Sequence, residues 1–180
     1  MKGKIVTVDE ATRMLPLVAH IADDIVATLA QRANEDGMHA FIASGDKDAY
    51  QLVTEGCTLL YPMPRADLLL MDPEGVEKKT GVTPGKYQDM AALVGEGADN
   101  LPGVPGVGPK TAAKWIQQYG DLEQIIAHAE EIKGRAGASL RENVDQVLLN
   151  RELNRLVTNL PIGEDLDDFR MKGVDRTSVH

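Results

Sequence analysis

Residues 99–119 read DNLPGVPGVGPKTAAKWIQQY and carry the most specific pattern in this chain of 180 residues. Gly103, Gly106 and Gly108 are spaced so that the backbone can turn tightly and approach a phosphate, because glycine has no Cβ to obstruct it. Pro109 opens a predicted helix, whose N-terminal amides carry a partial positive charge that favours an anion. We therefore predict a phosphate-binding hairpin in front of a helix.

Polar side chains at the start of that helix support this interpretation. Lys110 and Lys114 lie one turn apart and can reach adjacent phosphates, with Thr111 beside them. The carbonyls of the hairpin can hold a monovalent cation such as K⁺. A Gly/Pro-rich connector between two helices is the alternative, since glycine patterns alone are weakly specific. The flanking sequences DNLPG and GPKTA and the anchoring Trp115 favour binding to the backbone of DNA.

The net charge excludes one class of nucleic-acid-binding protein. The chain has 19 Lys and Arg against 28 Asp and Glu, a formal net charge of −9. Indiscriminate coating of nucleic acid requires excess positive charge, so contact with DNA has to be local. The acidic excess lies mostly in residues 1–100, which carry −7, whereas residues 101–180 carry −2. The N-terminus lacks the pattern of a secretory signal and no apolar run is long enough to span a bilayer, so we expect a cytoplasmic protein without membrane contact.

The order of predicted elements divides the chain into two parts. Short apolar runs predict strands at residues 39–43, 58–61 and 68–71. Apolar spacing and N-terminal caps predict helices at about residues 9–34, 110–119, 122–132 and 139–157. The last of these helices is predicted to open with a capping box formed by Ser139 and Glu142. We therefore predict an α/β region at residues 1–92 and an all-helical region at residues 93–180.

Carboxylates recur at the starts and ends of predicted elements, with Pro16 expected to kink or divide the first helix ahead of Asp23. They form three pairs: Asp23 with Asp24, Asp46 with Asp48, and Glu96 with Asp99. Ligand sites of open α/β sheets form at the carboxyl ends of strands, where these pairs can converge. Their repulsion would raise their pKa values or require divalent cations, and oxygen ligands without His or Cys favour Mg²⁺ or Mn²⁺. Two such ions activate a water for attack on a phosphodiester.

Each acidic pair also has an ordinary structural interpretation. Asp23 and Asp24 can be helix N-terminal charges favoured by the dipole, and Asp46 can cap the helix that follows it. Glu96 can simply be solvated. The alternation of the pairs with strands, together with the neighbouring hairpin, favours the functional interpretation.

Three stretches together resemble a known family. They are ADDIVATLA (22–30), SGDKDAYQLV (44–53) and ADNLPGVPGVGPKTAAKWI (98–116). From about residue 22 to 160 the chain resembles the 5′–3′ exonuclease (flap endonuclease) domain of the bacterial DNA polymerase I family. The resemblance implies a PIN-like α/β nuclease core followed by a helix-three-turn-helix of the helix-hairpin-helix type. It also implies DNA as substrate, a DNA polymerase as partner and a bacterial, nucleoid-associated protein.

The resemblance assigns roles residue by residue and shows departures. Asp23, Asp24, Asp46, Asp48 and Asp99 fall on the family's Mg²⁺-binding carboxylates. Ile21 stands where the family usually has Glu, and Glu96 where it usually has Asp. The family's first strand and the following arch-forming segment have no counterpart, so the predicted core is incomplete at its N-terminus.

Two functions therefore compete. One is a Mg²⁺-dependent 5′–3′ exonuclease and structure-specific flap endonuclease of replication and repair. In that case Asp23, Asp24, Asp46 and Asp48 are catalytic, and Glu96 and Asp99 complete the second metal site. The alternative is a truncated family member that binds DNA through its hairpin with little or no catalysis. A PIN-type ribonuclease is a third, weaker hypothesis, because such proteins generally lack an appended DNA-binding hairpin.

Overall fold

The first part of the chain is a three-stranded sheet with helices, seen in a computed structural model that describes residues 8–64, 67–97 and 99–169. Its elements are α1 (Val8–Glu35), β1 (Ala40–Ala43), β2 (Cys57–Tyr61), β3 (Leu69–Met71) and α2 (Pro73–Thr80). The strand order is β1-β2-β3, with β1 and β2 parallel and β2 and β3 antiparallel. The three predicted strands are thus confirmed to within one residue at each end.

Local signals in the sequence set several of these bounds. Asp72 caps α2, because its Oδ1 accepts a hydrogen bond from the amide of Gly75 at 2.7 Å. Gly81 ends the same helix with φ of 85°, a conformation that favours glycine. Cys57 and Leu59 of β2 are fully buried, as expected for the central strand of the sheet.

Helix α1 is present as predicted, but its apolar side chains do not all face the core. Ala27 and Thr28 are buried, whereas Ile21, Ile25 and Val26 are exposed. The buried face of α1 receives the segment after the last helix: Thr28 donates its hydroxyl proton to the carbonyl of Val157 and accepts from the amide of Leu160. The covered face of α1 therefore packs both on β1 and on this C-terminal segment.

The second part is helical, with one short hairpin. Its elements are α3 (Tyr87–Val94), β4 (Gly95–Glu96), β5 (Leu101–Pro102), α4 (Pro109–Tyr119), α5 (Leu122–Ala127), α6 (Gly134–Glu142) and α7 (Val144–Leu153). β4 and β5 pair antiparallel. A search of the described residues finds no helix that is both long and apolar enough to cross a membrane.

Two predictions about these helices were wrong. The helix behind Asp121 ends at Ala127, five residues early. Ser139 and Glu142 do not start a helix, because both lie inside α6. The break falls instead at Asn143, whose backbone leaves the helical region and whose side-chain amide donates to the carbonyl of Ser139 at 2.7 Å. That contact caps the end of α6 and lets α7 start in a new direction.

One hydrophobic core runs through both parts. Its buried members extend from Ala30 on α1 to Val147 on α7. The predicted boundary between residues 92 and 93 lies within α3, and Ala92 and Leu93 are both fully buried in this core. The α/β part and the helical part therefore share α3 as a common packing element.

Candidate metal centre and phosphate-binding hairpin

Three carboxylates from two separate loops meet beside the sheet. Asp48 opens a 3-10 helix (Asp48–Leu52) shortly after β1, while Glu96 ends β4 and Asp99 lies in the turn towards β5. One oxygen from each of these three side chains lies within 4.8 Å of the others. We call Asp48, Glu96 and Asp99 the acidic group.

The loop that carries Asp48 is fixed by short-range hydrogen bonds. Asp46 Oδ1 accepts from the amide of Asp48 at 2.9 Å, and the Ser44 hydroxyl oxygen accepts from the amide of Asp46 at 3.0 Å. Such Asx and Ser turns are formed by residues within two positions of each other. The sequence SGD-K-D thus positions the Asp48 carboxylate through hydrogen bonds within its own loop.

The electrostatics of the acidic group are unfavourable without a cation. Asp48 is only 8% exposed. Burial, followed by repulsion from Glu96, Asp46, Asp99 and Asp23, raises the pKa of Asp48 to about 7. Burial and the charges of Asp99 and Asp46 also raise the pKa of Glu96, which Lys47 partly offsets.

The acidic group has the donors that a hard divalent cation requires. Asp48 Oδ1 is buried and has no hydrogen-bond partner among the described residues. The other potential metal ligands in the group are carboxylate oxygens, and the group contains no His or Cys. These features fit Mg²⁺ or Mn²⁺, since hard cations take oxygen ligands and compensate clustered negative charge.

The two predicted ligands on α1 differ in their positions. Asp23 lies near enough to the acidic group for its charge to raise the pKa of Asp48. Asp24 is buried, and its Oδ1 accepts a hydrogen bond from the amide of Val157 at 2.8 Å. Adjacent helical residues point in directions about 100° apart, so the pair is divided between the acidic group and the C-terminal segment.

The glycines of the hairpin serve two different purposes. At Gly103 a Cβ would lie 1.9 Å from the carbonyl oxygen of Val94, and the next amide, that of Val104, donates to the carbonyl of Leu93 at 2.9 Å. Gly103 therefore allows the hairpin to pack on α3, and its predicted place in the phosphate-binding hairpin stays a prediction. Gly106 has φ of 83°, and an added Cβ at Gly106 or Gly108 would have no atom within 4 Å. These two glycines leave the tip of the hairpin open.

Helix α4 starts directly behind this open tip. Lys110 and Lys114 are exposed and Thr111 is half-buried. The amide of Thr111 donates to the carbonyl of Gly108 at 2.9 Å. Trp115 is buried and anchors the helix in the core, as predicted. The two lysines thus project from a firmly packed helix beside the hairpin.

Asn150 is a positioning residue that was not predicted from the sequence. Asn150 on α7 is fully buried, and its side-chain amide donates to the carbonyls of Ala92 at 3.1 Å and Pro102 at 2.9 Å. These bonds hold α3 and β5 together, and the turn that carries Glu96 and Asp99 lies between them. The available signal was an amide directly after the apolar residues 147–149 of a predicted helix, because a buried amide must find partners.

Family models match nearly the whole chain. Residues 12–81 match the model "5′-3′ exonuclease, N-terminal resolvase-like domain". Residues 82–177 match the model "5′-3′ exonuclease, C-terminal SAM fold". The first corresponds to the α/β part and the second to the helical part, which confirms the predicted fold class of a PIN-like core followed by a helical region.

Bacterial DNA polymerases I contain a region similar in sequence to this chain. DNA polymerase I of Mycobacterium leprae is 45% identical over 160 residues, covering 88% of this chain and 18% of the relative. DNA polymerase I of Bacillus caldotenax is 38% identical over the same length and also 18% covered. The chain thus spans about a fifth of the polymerases that it matches.

Solved structures show the same fold at lower identity. A bacteriophage T5 flap endonuclease, solved with DNA and metal ions, has a TM-score of 0.67 at 21% identity, covering 76% of this chain and 50% of that one. The T5 5′-exonuclease with bound zinc has a TM-score of 0.67 at 22% identity, again covering 76% and 50%. The family models, which together match residues 12–177, show that the chain belongs to the 5′–3′ exonuclease family.

Proposed function

We propose that this chain hydrolyses DNA phosphodiesters as a divalent-metal-dependent 5′–3′ exonuclease and structure-specific flap endonuclease. The observation that carries the proposal is the continuity of residues 95–119. Glu96 and Asp99 stand at one end of this segment and the hairpin with Lys110 at the other. Glu96 and Pro109, the first residue of α4, line the same cavity, so a DNA strand held by the hairpin would pass close to the acidic group.

Asp48, Glu96 and Asp99 would hold the metal, with Asp46 and Asp23 adding negative charge nearby. Mg²⁺ or Mn²⁺ suits the all-oxygen donors, and the T5 relative with zinc supports a divalent ion in this fold. When bound, such ions generate a nucleophilic hydroxide and stabilise the leaving oxygen. We propose that two ions bind, because the nearby carboxylates of Asp46 and Asp23 can add ligands to those of the acidic group.

The hairpin and α4 would hold the backbone of the DNA. The open tip at Gly106 and Gly108 lets a phosphate approach the amides at the start of α4, and Lys110 and Lys114 neutralise neighbouring phosphates. Thr111 adds a hydroxyl at the same end. We propose K⁺ as a ligand of the hairpin carbonyls. The T5 complex with DNA supports a DNA-binding role for this fold.

A second candidate is a family member that binds DNA without cutting it. It is favoured by Asp24, whose Oδ1 is engaged with the amide of Val157, and by an acidic group of only three carboxylates among the described residues. Fewer ligands around the metal lower its affinity and its ability to position a water. Binding then survives because the hairpin does not depend on the metal.

The relatives suggest the setting in which either function operates. In the bacterial relatives the matched region belongs to a chain named DNA polymerase I. We propose that a DNA polymerase works on the same DNA, and that the protein acts in the bacterial cytoplasm at the nucleoid. A flap is the structure that such a polymerase leaves when it displaces a downstream strand.

A cleavage assay separates the two candidates. Labelled 5′-flap DNA is incubated with the protein and millimolar Mn²⁺, and products are sized on a denaturing gel. Identically purified Asp48→Asn protein controls for a contaminating nuclease. Binding is measured in parallel by fluorescence anisotropy without metal. Cleavage by the wild type alone supports the nuclease, binding without cleavage supports the second candidate, and absence of binding at low salt refutes both.

A further inference from the structure

A cavity of about 230 Å³ opens beside the acidic group and shares Glu96 with it. Its wall includes three of the four tyrosines of the chain and two lysines: Tyr50, Tyr61, Tyr87, Lys47 and Lys79. These residues come from β2, α2, α3, the loop after β1 and the 3-10 helix that follows this loop. We call this space the tyrosine cavity. Aromatic walls combined with cations are the features of a site for an anionic ligand with a flat ring.

Lys79 presents its ammonium group to the cavity. Its Nζ lies 3.5 Å from the ring centre of Tyr61 and 5.5 Å from that of Tyr50. The ring faces attract the cation, but they leave its N–H donors available, since a ring takes no ordinary hydrogen bond. Within the described part of the chain Lys79 forms no ion pair with a carboxylate. A phosphate oxygen is the partner that this arrangement lacks.

The aromatic walls are ordered by mutual packing. Tyr50 meets Tyr87 edge-to-face at 5.1 Å between ring centres and stacks against Tyr61 at 5.8 Å. Tyr50 is 2% exposed, and its hydroxyl makes no hydrogen bond among the described residues. A buried hydroxyl is costly without a partner, and either the neighbouring Tyr61 or an acceptor oxygen of a ligand can supply one.

We propose that the tyrosine cavity binds one nucleotide unit of a DNA strand, with a phosphate at Lys79 and Lys47 and the sugar and base against the tyrosines. This inference rests on the proposed action on DNA and names the place where a nucleotide next to the metal lies. The cavity is smaller than the roughly 300–1,000 Å³ of sites that enclose a drug-sized ligand, so it would enclose only part of the nucleotide and leave the rest of the strand outside. Glu96 on the shared wall repels phosphate, so binding is expected to strengthen when a divalent cation neutralises the acidic group.

The test is an NMR titration of the full ¹⁵N-labelled chain with deoxythymidine 5′-monophosphate, with and without Mg²⁺. Amides of Lys79, Glu96 and Tyr87 should shift, and Mg²⁺ should lower the Kd. Lys79→Ala should weaken binding about tenfold, because a hydrogen bond to a charged group is lost. Lys78→Ala is the matched control, since Lys78 is an exposed neighbour on the same helix that does not line the cavity.

Equal binding by the Lys78→Ala and Lys79→Ala proteins would overturn the proposal, as would shifts confined to residues outside the cavity. Deoxythymidine lacks the phosphate, and inorganic phosphate lacks the sugar and base. Deoxythymidine 5′-monophosphate should bind more tightly than either compound. Equal affinity of the nucleoside and the nucleotide would also refute the phosphate contact. The outcome is independent of catalysis. Lys79-dependent binding with an uncut flap refutes the nuclease but keeps the cavity, whereas a cut flap with an unshifted cavity refutes the cavity alone.

Discussion

Replacing Asp48 by asparagine removes the buried charge at the centre of the acidic group and keeps the shape of the side chain. In the wild type the Asp48 carboxylate faces the charges of Glu96, Asp46, Asp99 and Asp23, and one of its oxygens has no hydrogen-bond partner among the described residues. Asparagine carries no charge and adds an amide donor that can reach a neighbouring carboxylate. The variant should therefore be more stable than the wild type when no metal is present.

The magnitude follows from the pKa of Asp48, which lies at about 7 instead of the ordinary 3.8. A raised pKa of an acid means that the folded state disfavours the charged form. The cost is absent below about pH 4, grows as the pH rises, and is complete above pH 7. The difference of about 3 pKa units corresponds to about 4 kcal/mol at most. For a chain of this length, Asp48→Asn should raise the Tm at pH 8 by roughly 5–15 °C.

Thermal melts at pH 4 and pH 8, with EDTA and with millimolar Mg²⁺ or Mn²⁺, test this reasoning. The stabilisation by Asp48→Asn should be large at pH 8 and nearly vanish at pH 4. Metal should raise the Tm of the wild type at pH 8, by about 2.7 kcal/mol of stability at 100 times the Kd, and should raise that of the variant less. Asp67→Asn is the matched control, since Asp67 is exposed.

Two results would refute the argument. If Asp48→Asn lowers the Tm at pH 8 in EDTA, the carboxylate makes favourable contacts and does not destabilise the folded protein. If metal raises the Tm of wild type and variant equally, the ion binds away from Asp48. Either result would also remove the electrostatic basis for the proposed metal site.

Three further predictions concern the frame around the site. Gly103→Ala should destabilise the protein by more than about 2 kcal/mol in urea melts, because the added Cβ overlaps the carbonyl oxygen of Val94. The control Gly85→Ala should be nearly neutral, because a Cβ there meets no atom within 4 Å. Equal effects of the two substitutions would contradict this packing. Arg151→Met should lower the free energy of unfolding by about 3–5 kcal/mol, because it leaves the buried carboxylate of Asp89, 2.9 Å from Arg151 Nε, without its cation. Adding Asp89→Asn should recover part of this loss. No recovery in the double variant would argue against the ion pair. Lys110→Ala should weaken duplex binding and reduce the slope of log K against log salt by about 1, and an unchanged slope would exclude Lys110 from the phosphate contacts.

Much of this architecture could be predicted because its signals are local. The Asp72-Pro73 cap, the turn formed by SGD-K-D and the glycine hairpin each depend on residues a few positions apart. Backbone preferences and short-range hydrogen bonds of this kind are properties of the sequence alone. The same is true of the acidic residues, since strand ends and loop carboxylates can be recognised before their distances are known.

Contacts between distant segments were decided by the tertiary structure. Asp24 reaches Val157 across 133 positions, and Asn150 reaches Ala92 across 58. Neither partner can be identified from either residue's own neighbourhood. The role of Gly103 also depends on how closely α3 and the hairpin pack, which is a distance and not a pattern.

By itself, the sequence therefore determined the family, the order of the elements and the residues able to bind metal and phosphate. Tertiary packing decided which carboxylates converge on Asp48, which face of α1 is covered, and that three tyrosines and two lysines enclose one cavity beside Glu96. The physical reason is range. Torsional preference and capping act over a few residues, whereas burial and electrostatic repulsion depend on every segment that the fold brings within a few ångströms.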